Sequence, residues 1–93
     1  MIKNFANREL EKCWREGHCI KISTHLRNRL LMKLDWLDAA IDLKDLQNPP
    51  SNHLHKLSGR YANYWAISIN GPWRLIFRFE NGDAYDVQLI QYH

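Results

Sequence analysis

The period of the apolar residues changes once along this chain, and the change falls at Pro49-Pro50. Upstream, Leu26, Leu30, Leu34, Leu37 and Ile41 recur at spacings of four and three. That is the rhythm of a helix burying one stripe. Downstream, Trp65, Ile67 and Ile69, then Trp73, Leu75, Phe77 and Phe79, recur at every second position. That is the rhythm of strands with one buried face. Proline removes a backbone donor and clashes with the preceding turn, so Gln47-Asn48-Pro49-Pro50-Ser51 breaks the helix and favours an extended linker. Helices first and alternating strands after predict an α+β domain, with helices on one face of an antiparallel sheet and water on the other.

The remaining elements fit around this division. Ile2 to Phe5 reads as a short strand with Ile2 and Asn4 on one face. Asn7 to Arg15 reads as a first helix, capped by Asn7, carrying Leu10 and Trp14 on one face and stopped by Gly17. Ser23 or Thr24 caps the second helix. On that helix Asp35, Asp38, Asp42 and Asp45 form an acidic line, and Arg27, Arg29 and Lys33 a basic patch. The pattern suits a solvated surface with local ion pairs, or a docking surface with separate basic and acidic ends. Leu54 to Leu57 reads as a short strand and Gly59 to Asn63 as a polar turn. Asn70-Gly71-Pro72 and Asn81-Gly82 are turns between strands, with Ala84 to Ile90 the last strand. The odd positions from Trp65 to Phe79 should face the helices, which points Arg74 and Arg78 to the open face. A length of 93 residues predicts a single domain over 1–93.

The net charge of +3 favours polyanionic partners, RNA, DNA or an acidic protein. The two cysteines, Cys13 and Cys19, are too few for a disulfide framework and read as reduced thiols in a reducing cytosol. No metal-ligand spacing joins them to the histidines, and no cofactor motif is present. No apolar run reaches the ~18 residues that span a bilayer, and Met1-Ile2-Lys3-Asn4-Phe5 lacks an apolar signal core. The expectation is a cytoplasmic protein with no membrane contact.

Three stretches carry groups suited to phosphodiester chemistry. His55-Lys56 lies at the edge of the sheet region, Arg74 on the wet face of a central strand, and Tyr92-His93 after the last strand. Cleaving RNA needs a base for the 2′-hydroxyl proton, an acid for the leaving 5′-oxygen, and cations for the charge that builds on phosphate. Histidine suits either proton role, with an unperturbed pKa near about 6.5. The arginine fork matches phosphate oxygens and is permanently charged. Tyrosine stacks on a base or donates a hydrogen bond. His93 carries the α-carboxylate on its own residue, which favours imidazolium and hence an acid role. Arg60 and Arg78, with Lys56, are the flanking cations expected to hold RNA.

Six stretches together resemble a known family. They are Met1-Ile2-Lys3-Asn4-Phe5, Leu54-His55-Lys56-Leu57-Ser58-Gly59, Tyr64-Trp65-Ala66-Ile67, Trp73-Arg74-Leu75-Ile76-Phe77, Asn81-Gly82-Asp83-Ala84-Tyr85 and Tyr92-His93. In this order and spacing the chain resembles the HigB toxins, or plasmid-maintenance killer proteins, of the RelE superfamily. The resemblance implies a RelE-like fold, two N-terminal helices packed on one face of a curved, mainly antiparallel sheet. It implies metal-independent cleavage of messenger RNA in the ribosomal A site. It implies a helix-turn-helix antitoxin encoded beside the toxin, through which alone the toxin meets operator DNA. The matching positions put His55, Arg74, Tyr92 and His93 in the active site. Two positions depart from the family pattern. Ser58 stands where many relatives have lysine, leaving Lys56 the nearest ammonium, and Gln91 stands where many have an acid. The rival functions are a gyrase poison of the same fold, and a degenerate member that only binds antitoxin and regulates transcription.

Overall fold

The computed structural model describes residues 1–91. Two helices, α1 (Arg8–Glu16) and α2 (Thr24–Ala39), precede four strands, β1 (His55–Lys56), β2 (Trp65–Asn70), β3 (Trp73–Glu80) and β4 (Asp83–Gln91). The strands lie in the order β1-β2-β3-β4, each antiparallel to its neighbour. The N-terminal segment joins β4 from the other side through parallel bridges, Ile2 with Ala84 and Phe5 with Val87. The fold is therefore α+β with a mainly antiparallel sheet. Among the described residues, no helix is long and apolar enough to cross a membrane.

Local chemistry sets the helix ends. The Asn7 side chain accepts from the Leu10 N–H at 2.9 Å, and Gly17 closes α1 in the left-handed region at φ 71°. That reversal returns the chain beside α1, where Cys13 and Cys19 meet with Cα atoms 4.3 Å apart and form a disulfide. The expected pair of reduced thiols is thereby corrected. Nothing in the spacing of six announced the bond, which depends on the tight turn at Gly17.

The second helix ends at Ala39, earlier than the apolar stripe predicts. Ala40 is already extended, and Asp42 caps a short 3₁₀ turn over Leu43–Leu46. Asp42 accepts from the Lys44 N–H at 3.1 Å, while Asp45 accepts from the N–H groups of Ile41 and Asp42 at 3.0 and 3.2 Å. Short acidic side chains that bond nearby backbone compete with helix, and here they win. Ile41 is accordingly 80% exposed rather than part of the stripe, and the acidic line stops at Asp38. Pro49 is extended as expected, but the linker does not stay so. Pro50–Asn52 forms another 3₁₀ turn, held by the buried Asn52 amide donating to the Leu46 carbonyl at 3.1 Å.

The core forms where the two periods meet. Leu30, Leu34 and Leu37 of α2 are fully buried against Ile67, Leu75 and Phe77 of the sheet. Trp65, Trp73 and Phe79, expected on the same face, are half-buried at its margins. The outer face is drier than predicted. Leu57, Ala66 and Ile76 form a second buried cluster beneath Tyr61, Tyr64 and Ile90, because the 57–64 segment folds back and the Leu57 N–H donates to the Tyr64 carbonyl at 2.9 Å.

A β-bulge shapes β4. Register shifts between Ile76 and Arg78, and Asp86 adopts φ 53° there. Asn4 satisfies the distorted backbone, since its side-chain oxygen accepts from the Asp86 N–H at 3.0 Å and its amide donates to the Asp86 carboxylate at 2.7 Å. The bulge also explains why Ile2 and Phe5, three apart, both turn to the core.

Truncating Leu34 should test the central contact. Leu34→Ala leaves a void at a site of 0% exposure and should lower unfolding free energy by about 2–5 kcal/mol, read from urea titration.

Candidate functional site

Directly paired strand residues share a face of the sheet. The partner chains His55–Ala66–Ile76 and Ser68–Arg74–Ile90 therefore put His55 and Arg74 together on the outer face, opposite the helices. They are separated by two strands and two residues. With strand spacing of about 4.8 Å and a rise of about 3.3 Å per residue, their Cα atoms lie about 12 Å apart. No single hydrogen bond bridges that gap, so the two would act on different atoms of one extended ligand.

His55 is held from behind. Its Nδ1 lies 2.7 Å from the His53 carbonyl, which His53 presents from a left-handed conformation at φ 48°. A carbonyl oxygen only accepts, so Nδ1 carries the proton and the neutral ring keeps its lone pair on Nε2. Arg74 is half-buried, and one of its terminal nitrogens donates to the carbonyls of Gly71 and Trp73 at 2.7 and 3.0 Å. These bonds tie the guanidinium to the β2–β3 turn and limit its rotamers. Gln91, the last described residue of β4, pairs with Trp73 next to Arg74. Tyr92 and His93 lie outside the described residues.

The flanking cations separate. Arg78 faces the same side, but its Nε donates to Asp86 at 2.8 Å and another nitrogen to Glu80 at 3.0 Å. Its guanidinium also sits 5.4 Å from the Tyr85 ring centroid. Bonds from Asn4 and then Arg78 hold the Asp86 carboxyl below the ordinary carboxylate range, against a smaller opposing effect of burial. Arg78 thus fastens β3 to the bulge and the N-terminal segment. Lys56 pairs with Trp65 and so takes the face opposite His55. It is exposed and is not brought to the outer cluster. Ser58 precedes the Gly59–Tyr61 turn.

Arg60 is exposed with its guanidinium 5.4 Å from the Tyr61 ring, and Tyr61 meets Tyr64 edge-on at 5.6 Å. Tyr61, Tyr64 and Tyr85 were not among the sequence candidates. Tyr61 and Tyr64 over the outer cluster, and Tyr85 beside Arg78, give the outer face half-buried aromatic surface of the kind on which nucleobases stack. Their only sequence signal is a cluster of tyrosines close to the candidate cations. Among the described residues, no three of His, Cys, Asp and Glu converge as metal ligands.

Known proteins share this sequence closely. Residues 3–93 match the family described as RelE-like toxin of type II toxin-antitoxin system HigB. The chain is 32% identical over 93 residues to Endoribonuclease HigB of Proteus vulgaris, covering all of both chains. It is 32% identical over 90 residues to Toxin HigB-1 of Vibrio cholerae, covering 96% of this chain and 95% of the relative. An uncharacterized protein of Haemophilus influenzae is 35% identical over 69 residues, 74% of this chain and 68% of the relative.

The Asn4–Asp86–Arg78 linkage predicts a pH signature. A carboxyl held below its unfolded value stabilises the fold fully above the ordinary carboxylate range, and that stabilisation is lost as pH falls through the lowered value. Asp86→Asn should melt below the wild type near neutral pH, and the gap in Tm should narrow as pH falls through and below the ordinary carboxylate range. A gap independent of pH would show that the Asp86 charge contributes nothing.

Proposed function

Since this chain belongs to the RelE-like HigB toxins of type II toxin–antitoxin systems, we propose that it acts as an endoribonuclease, cleaving messenger RNA in the ribosomal A site. The observation that carries this reading is the shared outer face of His55 and Arg74, with the Nδ1 of His55 committed to a backbone carbonyl. Nε2 of His55 is then the basic atom and takes the proton of the attacking 2′-hydroxyl. The 2′-oxygen bonds to phosphorus, and the bond from phosphorus to the 5′-oxygen breaks. His93 returns a proton to that leaving oxygen. Arg74 holds the phosphoryl oxygens while negative charge builds on them. Tyr92 stacks on a base or donates to the phosphate, and Arg60 steadies the flanking strand. Lys56 and Arg78 contribute at longer range, Lys56 from the opposite face and Arg78 through a charge already balanced by two carboxylates.

This step is balanced by proton transfer alone and needs no metal. The reading is of a single domain over 1–93, acting in the cytoplasm on ribosome-bound message. Its partner is a helix-turn-helix antitoxin that carries it to operator DNA and restrains it in the resting cell.

Message cleavage on purified translating ribosomes tests the assignment. Arg74→Ala should slow cleavage about 10²–10³-fold, the usual loss of one charge-stabilising donor. His93→Gln should slow it about 10²–10⁴-fold, the usual contribution of general acid catalysis. Arg15→Ala on α1, far from the outer face, should leave cleavage intact. Full activity in both site variants would move the active site elsewhere. A wild type that leaves messages uncut but traps gyrase on DNA would replace the ribonuclease reading with that of a gyrase poison. A wild type that only binds antitoxin would make the chain a co-regulator.

A further inference from the structure

Lys33 of α2 is 5% exposed, and its ammonium donates to the Ser68 carbonyl. Burial, and then the charge of Arg29 one turn earlier, lower its pKa. Arg29 itself donates to the Ile69 carbonyl at 3.4 Å and to the Asn70 side-chain oxygen at 3.3 Å. Among the described residues neither cation meets a carboxylate, although Arg15 and Arg78 each do. Nearby acids of α2 are engaged elsewhere. Asp35 accepts from the Trp14 indole, and Asp38 accepts from the Ile2 N–H. An ammonium has three donors, and a single bond to Ser68 could be made as well by a neutral side chain. A buried charge beside a second cation, with no counter-charge, is electrostatically expensive. An anion supplied from outside would offset that cost.

Both cations line one depression of about 280 Å³. Ser51 adds a hydroxyl there, and Met32, Trp36 and Pro49 give it an apolar wall. The volume sits at the lower limit of ligand pockets, about 300 Å³, which suits a small molecule. Two cations and a hydroxyl offer more than one carboxylate can use. A phosphate monoester carries about −1.5 to −2 charge near neutral pH and three terminal oxygens. The arginine fork takes two oxygens at once, and the ammonium acts as a point charge on the third. An inorganic ion would satisfy the cations but leave the apolar wall unused.

We propose that this depression is a binding site for a small phosphate monoester, with the phosphate on Arg29 and Lys33 and the organic part against Met32 and Trp36. The site lies on the α2 side of the sheet, away from the outer face of His55 and Arg74. It does not depend on the ribonuclease reading. Its cations already hold the Ser68 and Ile69 carbonyls of β2, so occupation also fastens α2 to that strand.

The test titrates the full-length protein with phenyl phosphate, inorganic phosphate and benzoate at constant ionic strength. In ¹⁵N spectra the Trp36 indole and Arg29 Nε signals should shift with phenyl phosphate, and the Trp14 indole should not. Phenyl phosphate should bind several-fold tighter than inorganic phosphate, and Met32→Ser, at an exposed position, should narrow that preference. Benzoate, with the same ring and a single charge, should bind about tenfold or more weakly. Arg29→Gln, also at an exposed position, should weaken phenyl phosphate about tenfold or more, the usual loss of a charge-assisted bond. Arg29→Lys should retain most of the affinity. Saturating phenyl phosphate should raise the Tm of the wild type more than that of Arg29→Gln. Shifts confined to Arg74 on the outer face, or an affinity indifferent to Arg29→Gln, would overturn the site. Benzoate binding as tightly as phenyl phosphate would overturn the phosphate, and equal affinity for the two phosphates would overturn the organic part. A short RNA that shifts Trp36 at lower concentration than phenyl phosphate would replace the proposal with a nucleic-acid track.

Discussion

Everything on the outer face follows from the seating of Leu30, Leu34 and Leu37 on Ile67, Leu75 and Phe77. Side chains on a strand alternate, so slipping β3 by one residue against α2 would expose Leu75 and turn Arg74 into the core. Burying a guanidinium while exposing two or three large apolar groups is doubly unfavourable. The leucine stripe therefore holds the register, and the register aims His55 and Arg74 outward. No residue of the candidate site need contribute to stability for the site to be assembled.

The outer face has its own framework, built from polar bonds. The turn at Gly71 accepts from Arg74, the His53 carbonyl orients His55, and the Asn4–Asp86–Arg78 linkage ties the N-terminal segment across β4 to β3. These contacts join residues up to 82 positions apart. The half-exposed Arg78–Asp86 pair contributes little free energy on its own, since such pairs are screened. Its consequence is geometric, because it holds the bulge at Asp86 that lets β4 bend.

What was legible in the sequence was whatever depends on period. The α+β order, the strands through Trp65, Trp73 and Ala84, the cap at Asn7 and the stop at Gly17 follow from spacing and backbone chemistry. So does the outward aim of Arg74. What failed depended on contacts between local signals. Ile41 continued the leucine rhythm, yet Asp42 and Asp45 captured the backbone and ended the helix first. Ala66 and Ile76 fell on a face read as wet, because nothing in their own strands shows that Tyr61 and Tyr64 fold over them. Lys56 and His55 are adjacent in sequence, and that adjacency puts them on opposite faces of β1. The grouping of His55 with Arg74 depended on strand order, which the hairpin signals allowed but did not fix.

The basic residues divide between two sides of the sheet. Arg60, Arg74 and Arg78 accompany His55 on the outer side or its rim, whereas Arg27, Arg29 and Lys33 line α2. On the outer side each described arginine is oriented by a carbonyl, a carboxylate or an aromatic ring. On α2, Arg29 and Lys33 reach only neutral oxygens among the described residues. A polyanion such as RNA needs cations fixed in place before it arrives, because preorganised charge costs no reorganisation as the reaction proceeds. A small anionic ligand gains more from cations that still lack a counter-charge, because it then supplies the missing one. One modest excess of positive charge can serve both ends without competition, provided that register keeps the two sets on opposite faces.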